Sequence, residues 1–182
     1  MIWSNLGLAK KLRLPIATIG ILLFVLSVVQ ITDMQRISGE FSNINEQYIP
    51  GIELVLNADR DLYQAQIAER SIAMGLKDER YFKMHQENIQ QVEDRVNKIT
   101  SLAVSQDIID QAKQFLTVFN NWRPQTQKLV RQVKDQSITL SDATQLSTNS
   151  LDKVFEGMRD KLDMLGEQLG KEASVLQLHT VE

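Results

Sequence analysis

Between Met34 and Leu76, apolar or small residues recur at Met34, Ile37, Phe41, Ile44, Tyr48, Gly51, Val55, Ala58, Leu62, Ala65, Ile72 and Leu76, with Glu69 alone breaking the register. The steps alternate three and four, the period of a coiled-coil or bundle seam. At about 1.5 Å per residue this helix would be roughly 64 Å long, too long for the core of a compact globule. It reads as a rod. A second stripe, Ile52, Leu56, Arg60, Tyr63, Ile67, Arg70 and Met74, points roughly 145° away from the first. The rod therefore needs two partners: its own core on one side and something else on the other.

The segment before the rod supplies an address. From Leu14 to Thr32 there is no charge, and the residues are apolar on every side. About 19 residues of helix span roughly 28 Å, close to the hydrocarbon thickness of a bilayer. Lys10, Lys11 and Arg13 precede the segment, whereas Asp33, Arg36 and Glu40 follow it. The positive-inside bias then places residues 1–13 in the cytoplasm and everything after Thr32 outside. No small-x-small cleavage site follows, so the segment reads as an uncleaved anchor and not a signal peptide.

Three further helices follow. Helix one runs over about 33–76, with a kink expected at Tyr48 to Gly51 because Pro50 removes a donor and crowds the preceding turn. Gly75, Lys77 and Asp78 form a turn, and Asp78 caps helix two, about 79–103, with the seam Phe82, His85, Ile89, Val92, Val96, Ile99 and Ala103. Ser105 or Asp107 caps helix three, about 106–135, with Ile108, Ala112, Phe115, Phe119, Trp122, Thr126, Leu129 and Val133; Pro124 is expected to bend it. Thr139 and Asp142 make a weak capping box for helix four, about 140–182. Its stripe, Leu151, Val154, Met158, Leu162, Leu165, Leu169, Ala173 and Leu176, reads as an eleven-residue repeat. Helix four has no stop signal, which predicts a second membrane span after residue 182. Short connections make the fold an all-α, up-down-up-down four-helix bundle, residues 33–182, with the transmembrane helix 14–32 continuous with helix one.

Composition narrows the chemistry. A net charge of −3 and no basic run interleaved with aromatics give no reason to expect nucleic acid. The absence of cysteine removes disulfides, thiol catalysis and thiolate metal sites. His85 and His179 have no Glu-x-x-His partner, so no di-metal site is expected, and no phosphate loop or nucleophile elbow is present. No catalytic residue, metal or cofactor follows from the sequence, and an enzyme is not expected. Glu69 on the core seam either lies at the open end of the bundle or pairs with a cation of another helix, since an unpaired buried carboxylate is costly.

The run from Leu56 to Arg70, LNADRDLYQAQIAER, with the single tryptophan of helix three before a leucine-rich stretch and the TLSDA start of helix four, resembles the four-helix-bundle sensor domain of bacterial methyl-accepting chemotaxis proteins. The resemblance covers essentially the whole chain. It implies a periplasmic ligand-binding module in the bacterial inner membrane. It also implies a homodimer through helix one and a cytoplasmic signalling part, not in this sequence, that reaches kinase signalling proteins. Related bundles also serve histidine kinases and diguanylate cyclases, and a membrane-anchored interaction protein without a small-molecule ligand stays open as a third reading. By resemblance, a small amino or organic acid would be held near the dimer interface by Arg60, Tyr63, Gln64 and Arg70 of helix one, with Thr144 and Thr148 of helix four. The bland alternative pairs Arg60 with Asp59, Asp61 or Gln64, and Arg70 with Gln66 or Asp78.

Overall fold

The computed structural model describes residues 7–179. The first six residues of the expected cytoplasmic segment, residues 180–182 of helix four, and any span after them lie outside the described residues. Among the described residues there are four helices and no strand. Helix α1 runs without a break through Leu8–Asn43, a π turn at Ile44–Tyr48, and Ile49–Ala73. Helices α2 and α3 span Glu79–Ile99 and Gln106–Lys134. Helix α4 comprises Leu140–Gln145, a second π turn at Leu146–Leu151, and Asp152–His179.

The first part of α1 is long and apolar enough to cross a membrane, and none of it is buried. Polar side chains there satisfy themselves locally: the hydroxyls of Thr18 and Ser27 donate to the Leu14 and Leu23 carbonyls, each at 2.9 Å. That is what a hydrocarbon solvent demands. Met34 and Phe41 continue the seam in sequence, yet both are exposed. Burial begins at Tyr48, because α2 and α3 are too short to reach lower. From there the seam is buried as far as Ile72, through Tyr48, Gly51, Val55, Ala58, Leu62, Ala65 and Glu69, whereas its last expected member, Leu76, lies past the Gly75 turn and is exposed.

Next to Pro50, where a kink is expected, the helix stays continuous through a π turn that ends two residues before the proline. The Ile49 N–H donates to the Ile44 carbonyl, five residues back. The wider ring places Pro50 in the first turn of the next α-helical stretch, where its missing N–H costs least. Pro124 leaves α3 helical throughout.

The helix ends follow local chemistry. Asp78 accepts from the Arg80 N–H, Ser105 from Ile108 and Thr139 from Asp142. At the C-terminus of α1, Gly75 N–H donates to Ile72 and Leu76 N–H to Ser71. This is a Schellman motif, and Gly75 supplies the positive φ of 92°. The same pair of bonds closes α3, from Gln136 to Val133 and Ser137 to Gln132, with Gln136 at φ 56° where glycine is the usual residue. Nothing in its side-chain chemistry announces that. At the other end of the hairpin, Gln47 accepts from the Ala103 N–H, and Glu172 accepts from Tyr48 and Ser105, so the α2–α3 loop is tied to both long helices.

In α4 the core positions are Leu151, Phe155, Met158, Leu162, Leu165 and Leu169. These steps of four and three make a heptad seam, not the eleven-residue repeat read from the sequence. Phe155, fully buried against Trp122 and Tyr63, takes the place expected of Val154. Phe155→Ala is therefore expected to cost about 3–5 kcal/mol and Val154→Ala about 1 kcal/mol or less, read by thermal melting of the helical signal. Equal costs would mean that the seam has been given the wrong phase.

Candidate functional site

About one to two turns below the distal loops, remote from the apolar segment, the four helices each direct one polar side chain into the core. These are Glu69 of α1, His85 of α2, Thr126 of α3 and Ser147 of α4, none more than 2% exposed. His85 Nε2 lies 2.8 Å from the Thr126 hydroxyl, which in turn donates to Glu69 Oε2 at 3.5 Å. Glu69 Oε1 and Ser147 Oγ, both shielded from solvent, make no hydrogen bond of good geometry, although the Ser147 hydroxyl lies near enough to act on the Glu69 carboxyl. A polar layer this dry is costly unless its groups are neutral. Burial pushes the Glu69 carboxyl up; the Ser147 and Thr126 hydroxyls and the Arg70 guanidinium counter it only in part, and Asp152 reinforces it. Burial alone lowers the His85 imidazole to about 4. The imidazole is thus neutral near pH 7, and burial biases the Glu69 carboxyl toward its protonated form.

Beside this layer, at the surface between α1 and α4, Arg70 forms an ion pair with Asp152, to which Gln66 Nε2 also donates at 3.1 Å. Both charged side chains are about one-third exposed, at 34% each. Arg70 Nε is buried without a partner. Asp152 is the first residue after the π turn Leu146–Leu151. A π turn carries one residue more than the α-helical count, so it shifts the faces presented on its two sides. Here it sets both Ser147 toward the core and Asp152 toward Arg70.

The six residues singled out from the sequence do not form one pocket. Arg70 and Tyr63 both reach α4: the Tyr63 ring meets Phe155 edge-on at 5.4 Å and carries the Arg159 guanidinium 4.3 Å above its face. Arg159 is fixed in turn by Asp59 at 3.2 Å. Thr144 donates to the carbonyl of Ala73 at 3.2 Å, stitching the start of α4 to the end of α1. Thr148 is exposed and bonds back to the Thr144 carbonyl. Gln64 is exposed. Arg60 pairs with buried Asp61, which also binds Arg95 of α2 at 2.6 Å, so its fixed partner belongs to a structural network. Asp61 is one of the neighbours that the bland reading offers Arg60.

Asp152 and Ser147 were not legible as site residues. Extending the α4 stripe back from Leu151 by fours reaches Ser147 and Ala143, and a serine there would join Glu69, His85 and Thr126 as a polar residue on a core stripe. For Asp152 no sequence signal existed without the π turn. Along α1, Leu56, Ile67 and Met74 remain exposed at 53–66%, leaving the outward stripe uncovered. Among the described residues no cluster of three metal-ligating side chains occurs.

A family model described as a four helix bundle sensory module for signal transduction matches residues 5–179. Comparisons with curated proteins and with solved structures gave no match.

The polar layer has a pH signature. His85, lowered in the folded state, contributes stability that is fully present above about pH 6.5 and lost as pH falls toward 4, about 3 kcal/mol in all. Glu69, raised in the folded state, acts oppositely, its stabilising effect fading as pH rises from about 4.5 through its folded value. Glu69→Gln removes that loss. Its melting temperature relative to the unaltered protein should therefore climb from pH 5 to pH 8, while a flat difference would contradict a buried, strained carboxyl.

Proposed function

Because the chain belongs to the family of four-helix-bundle sensory modules for signal transduction, we propose that residues 33–182 are the periplasmic ligand-sensing domain of a chemoreceptor of the bacterial inner membrane. The observation that carries this reading is the Arg70–Asp152 pair, a solvent-reachable cation at the seam between the two long helices, beside a π turn that can yield. A small amino or organic acid anion offers Arg70 a carboxylate in place of Asp152, and guanidinium groups fork onto carboxylates with well-defined geometry.

Releasing Asp152 loosens α4 from α1 beside the π turn. Displacement of α4 by an ångström or two is the scale on which packed interface helices move. The ligand shifts the equilibrium only by preferring one arrangement, and exchange of partners at Arg70 supplies that preference. Carried down α4 toward the membrane, the movement reaches a cytoplasmic signalling part and its kinase partners. The exposed Leu56, Ile67 and Met74 support pairing of two copies through α1, since apolar side chains left uncovered along one helix face are best covered by their own symmetry mate. In this reading the module senses and transmits, and it performs no catalysis.

Thermal melting against amino and organic acids tests the proposal. At a ligand concentration about a hundredfold above Kd the rise should be about 5–10 °C, abolished in Arg70→Ala. Ile67→Cys should cross-link two copies in the membrane under mild oxidation. A rise that persists in Arg70→Ala would move the ligand elsewhere, and failure to cross-link at Ile67 and Tyr63 alike would remove the dimer.

A further inference from the structure

We propose that the distal tip carries a second ligand site, for an amphipathic organic anion, in the cavity between the α1–α2 and α3–α4 turns. The cavity measures about 400 Å³, within the range that encloses small organic molecules. Leu76, Phe82, Val133, Ile138 and Leu140 give it an apolar wall. Two lysines stand at its edge. Lys134 Nζ is already engaged, 5.0 Å from the Phe82 ring centre and 3.5 Å from Glu79. Lys77 lines the same cavity and makes no ion pair among the described residues. An uncommitted cation beside an apolar recess fits a carboxylate with an aromatic or branched aliphatic body, the head on Lys77 and the body against Phe82 and Leu140.

The cavity is built by the two left-handed residues, since both Gly75 and Gln136 line it. A Cβ at Gly75 would come 2.8 Å from Leu140 Cδ1, so the turn geometry and the first residue of α4 are matched to each other. An occupant therefore touches the end of α1 and the start of α4 together. It reaches the same pair of helices as the Arg70 site without sharing a residue with it, and the inference stands independently of that site.

The test uses the full chain in lipid nanodiscs and 4-fluorophenylacetate as the probe, with binding read by fluorine NMR against empty nanodiscs. Binding in the millimolar range or tighter is expected. Lys77→Gln should weaken it about tenfold, Ile138→Trp should block it by filling the recess, and Arg70→Gln should leave it unchanged. Absence of binding at millimolar probe, or binding that Lys77→Gln and Ile138→Trp both leave intact, overturns the proposal. Loss of binding in Arg70→Gln alone also overturns it, by assigning the anion to the α1–α4 pair instead.

Discussion

The bundle depends on how closely α1 lets its neighbours approach. Its inward face is made of small residues, Gly51, Ala58, Ala65, Ala68 and Ala73, separated by Val55, Leu62 and Ile72. Alanines at fully buried positions bring the α2 backbone close, and α2 is the helix that packs most extensively on the upper part of α1. Large side chains come mainly from the other side, as Phe115, Phe119 and Trp122 of α3 and Phe155 of α4 fill the volume that α1 leaves. Such alternation of small and large residues gives interior packing without voids. One face of α1 thereby fixes the core, and the opposite face remains free for whatever the rod meets outside.

At one level of the core all four helices are polar at once. Glu69, His85, Thr126 and Ser147 share one layer, and that layer coincides with the π turn of α4 and with the Arg70–Asp152 pair at its edge. Polar layers are weaker than apolar ones because each group gives up water to enter them. The place where α4 is least regular is thus also the place where its attachment to α1 is least apolar. Toward the membrane the long helices are bound differently, through Leu165 and Leu169 in the core and Glu172 reaching Tyr48 and the α2–α3 loop. Helix α4 thus meets its neighbours through polar groups at the distal layer and through an apolar seam below it.

Much of this was legible in the residues themselves. The three-four alternation located the core face of α1 from Tyr48 to Ile72, and the caps at Asp78, Ser105 and Thr139 follow from side chains that accept backbone N–H groups. What escaped depends on interactions distant in sequence. Met34 and Phe41 fit the seam, yet no partner helix reaches them. One position of the α4 stripe differs, Phe155 being buried where the spacing pointed to Val154, because the two are adjacent and both apolar. Arg70 was singled out, but its partner across the helix seam lies eighty-two residues away and carried no local mark.

The central claim is that α4 consists of two segments joined by a yielding π turn at the polar layer. Amide hydrogen exchange along α4, measured on the full chain in a lipid bilayer, addresses it directly. Exchange is expected to be fast from Leu146 to Leu151 and slow from Phe155 to Leu169, because only the latter is packed by an unbroken apolar seam. Uniform protection from Ala143 to Leu169 would show α4 to be one rigid element and would contradict the account.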